Sequence, residues 1–429
     1  MTFFNPNTLT KTISMAACLT LGTALPTFAQ DILIKDAKVV TNGNAGVIED
    51  GDILMRDGKI VEIGADLSAP AGTQIIDGTG NWVTPGLFAP FSHVGLVEIG
   101  AEARTNDISA SDSNTSVSNR AADSFNPKSP VIGNTRIEGI THIVSAPGTG
   151  KNIFGGIGLI ANTSGNFDSI ESEQAFIYVS LGESGADTAG GSRAASMNQL
   201  RAALDDAGAY PARYSGPEDG DTLSRRDAAA LFRAARGQLP ILIRADRAVD
   251  MLNIIKLKKD YGLDVIIIGA AEGWMIAEEL KTAGIKVMVD PHNNLPGSFD
   301  MVGARLDNVI LLDKAGVDYA IMTSSADLTH NVRVLSQHAG NAVGAGLSWD
   351  KAFAAISSTP ARWFKTETGT LSEGTEASLV IWDGDPLEVT SGAIAVYIDG
   401  EAQEMRSRQS ALSDRYNPTN TNTLPHKYR

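Results

Sequence analysis

Cysteine occurs once in the 429 residues, at Cys18. A disulfide needs two cysteines and a Cys-based zinc or iron–sulfur site needs several, so neither can form within this chain. Basic residues are also few, 35 Lys and Arg against 50 Asp and Glu, for a formal charge of -15. Such a surface repels phosphate backbones and anionic lipid, which argues against nucleic-acid binding. Past the N-terminal segment no stretch reaches the roughly 18 uninterrupted apolar residues of a spanning helix, which argues against stable membrane insertion. What remains is a globular composition: 43% hydrophobic and 20% charged residues can bury a core. The length suits two or three domains, or one large barrel with an accessory module.

Residues 1–29 read as an address. Lys11 precedes an apolar stretch from Ile13 to Phe28, and Thr27-Phe28-Ala29 supplies the small residues of a signal-peptidase site before Gln30. The expectation is a periplasmic or secreted protein after cleavage at Ala29. A lipobox reading at Met15-Ala16-Ala17-Cys18 is the alternative, though the apolar run continues well past Cys18.

From 31 to 82 short β-rich runs alternate with turn signals, and Asp57-Gly58 between Ile53-Leu54-Met55 and Lys59-Ile60-Val61 predicts a hairpin with a type I′ turn. A matching β-rich piece spans 377–387 and 393–403. Between them strands alternate with helices. Nearly continuous apolar runs fall at 83–89, 139–146, 155–161, 175–181, 239–245, 263–269, 285–290 and 317–324, and Gly262 and Gly284 stand where helices should end. Ser224 and Asp227 form a capping box before Ala228. Eight such strands over this length predict a (β/α)8 TIM barrel, for which about 250 residues is typical. A doubly wound sheet would repeat the same units, but no glycine fingerprint follows a first strand, and Gly148-Thr149-Gly150-Lys151 lacks the first glycine and the hydroxyl of a phosphate loop. The polar stretch 101–130 reads as a surface loop, with a lid at the catalytic face as the alternative.

The β-rich pieces at both ends, the barrel between them and Val83-Thr84-Pro85-Gly86-Leu87 at the junction resemble the amidohydrolase superfamily, notably its imidazolonepropionase-like branch. Ser358-Thr359-Pro360-Ala361-Arg362 and the run 377–387 are similar to that family's closing signatures. The resemblance implies a (β/α)8 TIM barrel over 83–366, a small β-sandwich module made from 30–82 and 367–410, and a polar C-terminal tail over 411–429. It also implies hydrolysis of non-peptide C–N bonds by one or two metal ions, which polarise a carbonyl and supply hydroxide at the strand ends.

The family's ligands are a His-x-His after the first barrel strand, one histidine after each of the fifth and sixth, and an Asp after the eighth. Here those positions hold Phe91 and His93, with Ala89 two residues before Phe91, then Arg244, then an Ala270-Ala271 stretch without histidine, then Ser324. Only His93 survives. A catalytic zinc usually has three protein ligands, and a guanidinium has no lone pair to offer and stays charged beside a dication. Metal-dependent hydrolysis is therefore expected to be lost or weak, with no cofactor required, and the barrel to bind a small ligand, such as a carboxylate-bearing one, or a partner. The pocket candidates are His93, Arg244, Asp246, Glu272, Asp290, His292 and His330. His93 also reads as a structural group, Arg244 and Asp246 as a pair bonded to structural neighbours, and Glu272 as a helix cap, while His142, inside a strand, and His426, in the tail, are poor candidates. The competing reading is an active amidohydrolase holding zinc or another divalent metal through His292, His330 and Asp327 with His93. As partners, a homodimer or a heteromer with an intact amidohydrolase-like chain is expected.

Intact-mass measurement of the exported protein should place the mature N-terminus at Gln30; a lipidated Cys18 would overturn the assignment.

Overall fold

A computed structural model describes residues 31–110, 116–216, 220–324 and 328–416. The expected cleavage site, Asp327 and His426 lie outside them. The described chain builds two eight-stranded sheets.

The first sheet joins the two ends of the chain. It contains β1 (Ile32–Val40), β2 (Val47–Arg56), β3 (Lys59–Gly64), β4 (Gln74–Asp77) and β5 (Trp82–Pro85), completed by β14 (Leu379–Trp382), β15 (Ala393–Ile398) and β16 (Glu401–Ala402). Its order is β16-β15-β14-β5-β1-β2-β3, with β4 added on β1. The β2–β3 turn has Asp57 at φ 48 and Gly58 at φ 76, the two left-handed residues that a type I′ turn requires. β5 and β14 pair antiparallel, Val83 opposite Ile381. The two ends thus meet in one hydrogen-bonded path of strands, and a bridge between Lys59 and Glu376 brings β3 back to the chain just before β14. A helix over Arg408–Tyr416 runs from the last residues assigned to the module into the start of the tail expected at 411.

The second sheet is the barrel: β6 (Leu87–Ser92), β7 (Ile140–Ser145), β8 (Phe154–Asn162), β9 (Ile170–Ser180), β10 (Ile241–Ala245), β11 (Val265–Gly269), β12 (Lys286–Val289) and β13 (Asp318–Ile321). Seven of the expected runs form strands of this sheet in chain order, and the first, 83–89, is divided: 83–85 belong to β5 of the first sheet, and only from Leu87 does the chain enter the barrel as β6. One of them runs backwards. β8 is antiparallel to both β7 and β9, whereas every other adjacent pair in the sheet is parallel. The reason is the loops 146–153 and 163–169: neither is long enough for the crossover that parallel neighbours need, so each closes a hairpin. Between β13 and β6 the seam is closed by single bonds from flanking chain, Phe88 N–H to Ile356 O at 2.8 Å and His93 N–H to Leu328 O at 2.7 Å.

The strands are buried on both faces. Phe88, Val144, Ile160, Phe176, Leu242, Ile266, Met288 and Ala320 cluster inside the barrel, while Ile243, Ile267, Val287 and Ile321 belong to the larger cluster outside it. The covering helices start and stop as their sequence dictates. Arg225–Ala235 begins with Ser224 Oγ accepting from Asp227 N–H at 3.2 Å. Ala248–Tyr261 stops at Gly262, whose φ of 69° is the left-handed cap.

His142, on β7, is fully buried where the barrel meets the first sheet. Its Nδ1 lies 2.9 Å from Thr141 Oγ1, and its Nε2 lies 2.9 Å from Glu171 Oε1 and 3.4 Å from Glu376 Oε1. Burial alone would pull the imidazole pKa down, but Glu171, Glu376 and Asp399 together lift it above its ordinary value. Burial also raises the Glu376 and Asp399 carboxyls. All three shifts make the folded state bind protons more tightly than the unfolded one. For His142 that stabilisation is complete below about pH 6.5 and is lost as pH rises through the elevated pKa. His142→Asn should leave the carboxylates without their cation and lower stability by roughly 3 kcal/mol at pH 5.5, with a smaller deficit at pH 8.5. Denaturant melts at the two pH values check this; an equal deficit at both would mean that the imidazole is uncharged.

Candidate functional site

A cavity of about 740 Å³ opens at the C-terminal ends of the barrel strands, among the residues that follow β6, β9, β10, β11, β12 and β13. His93, Arg244, Asp246, Asp290 and His292 all line it, together with Tyr178 and Ser324. Five of the seven candidates read from the sequence therefore share one space.

His93 follows β6, with its Nδ1 2.6 Å from the carbonyl oxygen of Ala146. A carbonyl can only accept, so Nδ1 carries the proton and Nε2 keeps its lone pair. Burial, reinforced by the charge of Arg244, holds the imidazole pKa below its usual value, so the ring is neutral. Phe91 stands where the family places a histidine, and its ring packs against Tyr178 with centroids 5.3 Å apart.

Arg244, the penultimate residue of β10, has its side chain about one-fifth exposed, and a guanidinium nitrogen lies 3.7 Å from Asp246 Oδ2. Asp246 is held from three sides. Its Oδ1 accepts from Ala271 N–H at 3.3 Å, its carbonyl accepts from Glu272 N–H at 2.9 Å, and Gly269 leaves it room. A Cβ on Gly269 would stand 2.4 Å from Oδ1, and the φ of +101° disfavours a side chain there in any case. Burial pushes the Asp246 carboxyl up to about 6, against the opposing pull of Arg244.

Asp290 follows β12. Its Oδ1 accepts from His292 N–H at 2.9 Å and lies 2.9 Å from Nδ1 of His338. His338, in the helix Leu335–Gly344, is the site residue that the sequence reading missed, and its ring centroid is 5.2 Å from that of His292. The available signal was its position on that helix's apolar stripe, Leu335, His338, Ala339 and Ala342, all of them buried.

Two candidates are corrected. Glu272 does not reach the cavity: its Oε2 accepts from Ala248 N–H at 3.0 Å, capping the preceding helix and not its own, and its Oε1 accepts from Gly303 N–H at 3.1 Å. His330 lies outside the cavity lining, with its ring beside Gly100.

The cavity rim is the segment 291–307 after β12, which contributes Leu295 and Met301 to the lining. It is pinned by Asp300, which accepts from Glu183 N–H and from Arg193, each at 2.5 Å. The described part of 101–130 is tied at several points: Asp227 Oδ1 accepts from Ser118 N–H at 2.8 Å, Asn119 O from Ile157 N–H at 2.7 Å, and Ile108 O from the N–H of Gly148, a residue of the cavity lining, at 2.8 Å.

As a metal site these donors fit poorly. Among the described residues no group of three His, Cys, Asp or Glu side chains is placed to hold an ion, and the neutral imidazole of His93 feels the positive charge of Arg244. The arrangement is suited instead to binding charged groups and to moving a proton at Asp246.

The Asp246 carboxyl yields a stability test. Its folded pKa lies above the unfolded value of 3.8, so the fold is favoured at low pH and loses that advantage between about pH 3.8 and 6. Asp246→Asn, which keeps an acceptor for Ala271, should exceed the native chain by about 1–3 kcal/mol at pH 8 and match it near pH 4. A variant less stable than the native chain at pH 8 would show that the ion pair with Arg244 outweighs burial.

The sequence model of the amidohydrolase family matches residues 252–414. A dihydroorotase of Citrifermentans bemidjiense is 40% identical over 72 residues, which are 17% of this chain and 16% of that protein; the chain spans about one-sixth of the length of the dihydroorotases it matches. The amidohydrolase tasK of Hapsidospora irregularis is 21% identical over 394 residues, covering 82% of this chain and 40% of that protein. Among solved structures, an amidohydrolase from Thermotoga maritima superposes with a TM-score of 0.79 at 24% identity, covering 87% of this chain and all of the other. A molinate hydrolase superposes at 0.56 with 15% identity, covering 88% and 95% of the two chains. At these identities the structural likeness concerns the fold.

Proposed function

We propose that this chain, which belongs to the amidohydrolase superfamily, is an exported member in which metal-dependent hydrolysis is lost or weak and the barrel mouth binds a small carboxylate-bearing ligand. The observation that carries the reading is Arg244, a permanent cation at the end of β10 inside the cavity that also holds His93. A guanidinium there repels a dication and offers a carboxylate two parallel hydrogen bonds. Among the described residues no helix is long and apolar enough to cross a membrane. Association with a second copy, or with an intact amidohydrolase-like chain, belongs to the same proposal, since partner surfaces on such barrels lie away from the strand ends.

A second reading keeps hydrolytic activity with a metal bound by unusual ligands. It is favoured by His93, Asp290 and His292 facing one cavity.

Metal analysis separates the two. Protein purified without chelator and dialysed against micromolar zinc should retain far less than one equivalent, whereas stoichiometric zinc lost on His93→Ala would establish the second reading. Titration calorimetry should show that Arg244→Ala abolishes the binding of small carboxylates; binding that survives the substitution would make Arg244 structural.

A further inference from the structure

The charge lining the cavity favours a carboxylate ligand that also carries a cation over a simple anion. Among the described residues its wall carries four carboxylates, Glu183, Asp246, Asp290 and Asp300, against the single guanidinium of Arg244. Arg193, close by, is shared: it bonds Asp300 at 2.5 Å and also lies 3.4 Å from Asp250 and 3.9 Å from Glu183. Arg244 is already partly compensated by Asp246 at 3.7 Å. His93 adds no charge, because burial and Arg244 both disfavour its protonation. Asp290 has the imidazole of His338 as its neighbour, and both of its hydrogen bonds fall on Oδ1. A carboxylate docking on Arg244 therefore enters a space where negative charge is in excess on the far strands, and a ligand that brings its own cation relieves that excess.

We propose that the cavity takes a zwitterionic ligand with separated charges, of the size of a dipeptide or an ω-amino acid, its carboxylate on Arg244 and its ammonium on Asp290. Arg244 is the penultimate residue of β10 and Asp290 follows β12, with β11 between them, so the two poles lie on strands separated by about 10 Å of sheet. That spacing suits a ligand in which several bonds divide the charges, and an α-amino acid is too short. Leu181, Leu295, Met301 and Met322 give the wall apolar patches for the body of such a ligand. The inference rests on the reading of Arg244 as a carboxylate anchor and adds the second pole.

Two matched pairs of probes test it on the mature chain by titration calorimetry: glycyl-L-leucine against N-acetyl-glycyl-L-leucine, and 5-aminovalerate against pentanoate. Each partner keeps the carboxylate and only the first carries the ammonium. At least one zwitterion should bind about tenfold or more tightly than its uncharged-end partner. Asp290→Asn, which keeps an acceptor for His338, should remove that preference by weakening the zwitterion alone. Equal affinities within both pairs, a preference that survives Asp290→Asn, or no binding by either zwitterion would each overturn the proposal. Arg244→Ala separates the two levels. If it abolishes binding of both members of a pair that the native chain does not distinguish, the carboxylate anchor stands and the second pole falls. If zwitterions bind unchanged without Arg244, the anchor itself falls.

Discussion

The in-step parallel ladder from β9 to β13 is what every other property of the site depends on. Ser180 lies opposite Arg244, Arg244 opposite Ile268 and Ile268 opposite Met288, so the strands finish at nearly one level. The residues just beyond them have one concave space to enter. Because side chains alternate along a strand, a slip of β10 by one residue against β9 and β11 would turn Arg244 outward and bring Ile243 in. The register is held by apolar burial on both faces of each strand, so the chemistry at the mouth is positioned by the core beneath it.

Within that frame, Arg244, Asp246 and His93 set one another's charge. The guanidinium is fixed, the imidazole is kept neutral by burial and by the guanidinium, and the carboxyl is poised near neutrality because burial outweighs its cationic neighbour. A metal-binding pocket would need deprotonated carboxylates and several imidazole lone pairs converging on a point. Here the converging groups differ in sign, and it is on that mixture that the proposed zwitterionic ligand rests.

Much of the barrel could be read in the sequence because strands buried on both faces appear as unbroken apolar runs, and all eight were visible, the first merged with β5. The reversed direction of β8 was also legible in principle, since the spacing from 139–146 to 155–161 is too short for a helical crossover; repetition of the βα pattern elsewhere masked it. The site was legible where residues end strands, as with His93, Arg244, Asp246, Asp290 and His292. It was illegible where a side chain reaches across the fold. Glu272 caps a helix that precedes it in the chain, and His338 hides on an apolar helix face until Asp290 meets it. His330 follows the last strand like a ligand, but the turn that carries it faces Gly100.

The pairing of β5 with β14 has a consequence for how the protein comes to be made. Trp382 Nε1 donates to Thr84 Oγ1 at 2.9 Å across 298 residues of sequence. Until that distant segment has emerged, β5 offers an unpaired edge, and the slow closure of so large a loop is paid at the end of synthesis. During that interval the early strands present a ready template to other chains. That exposure ends only when β14 is made and covers the edge.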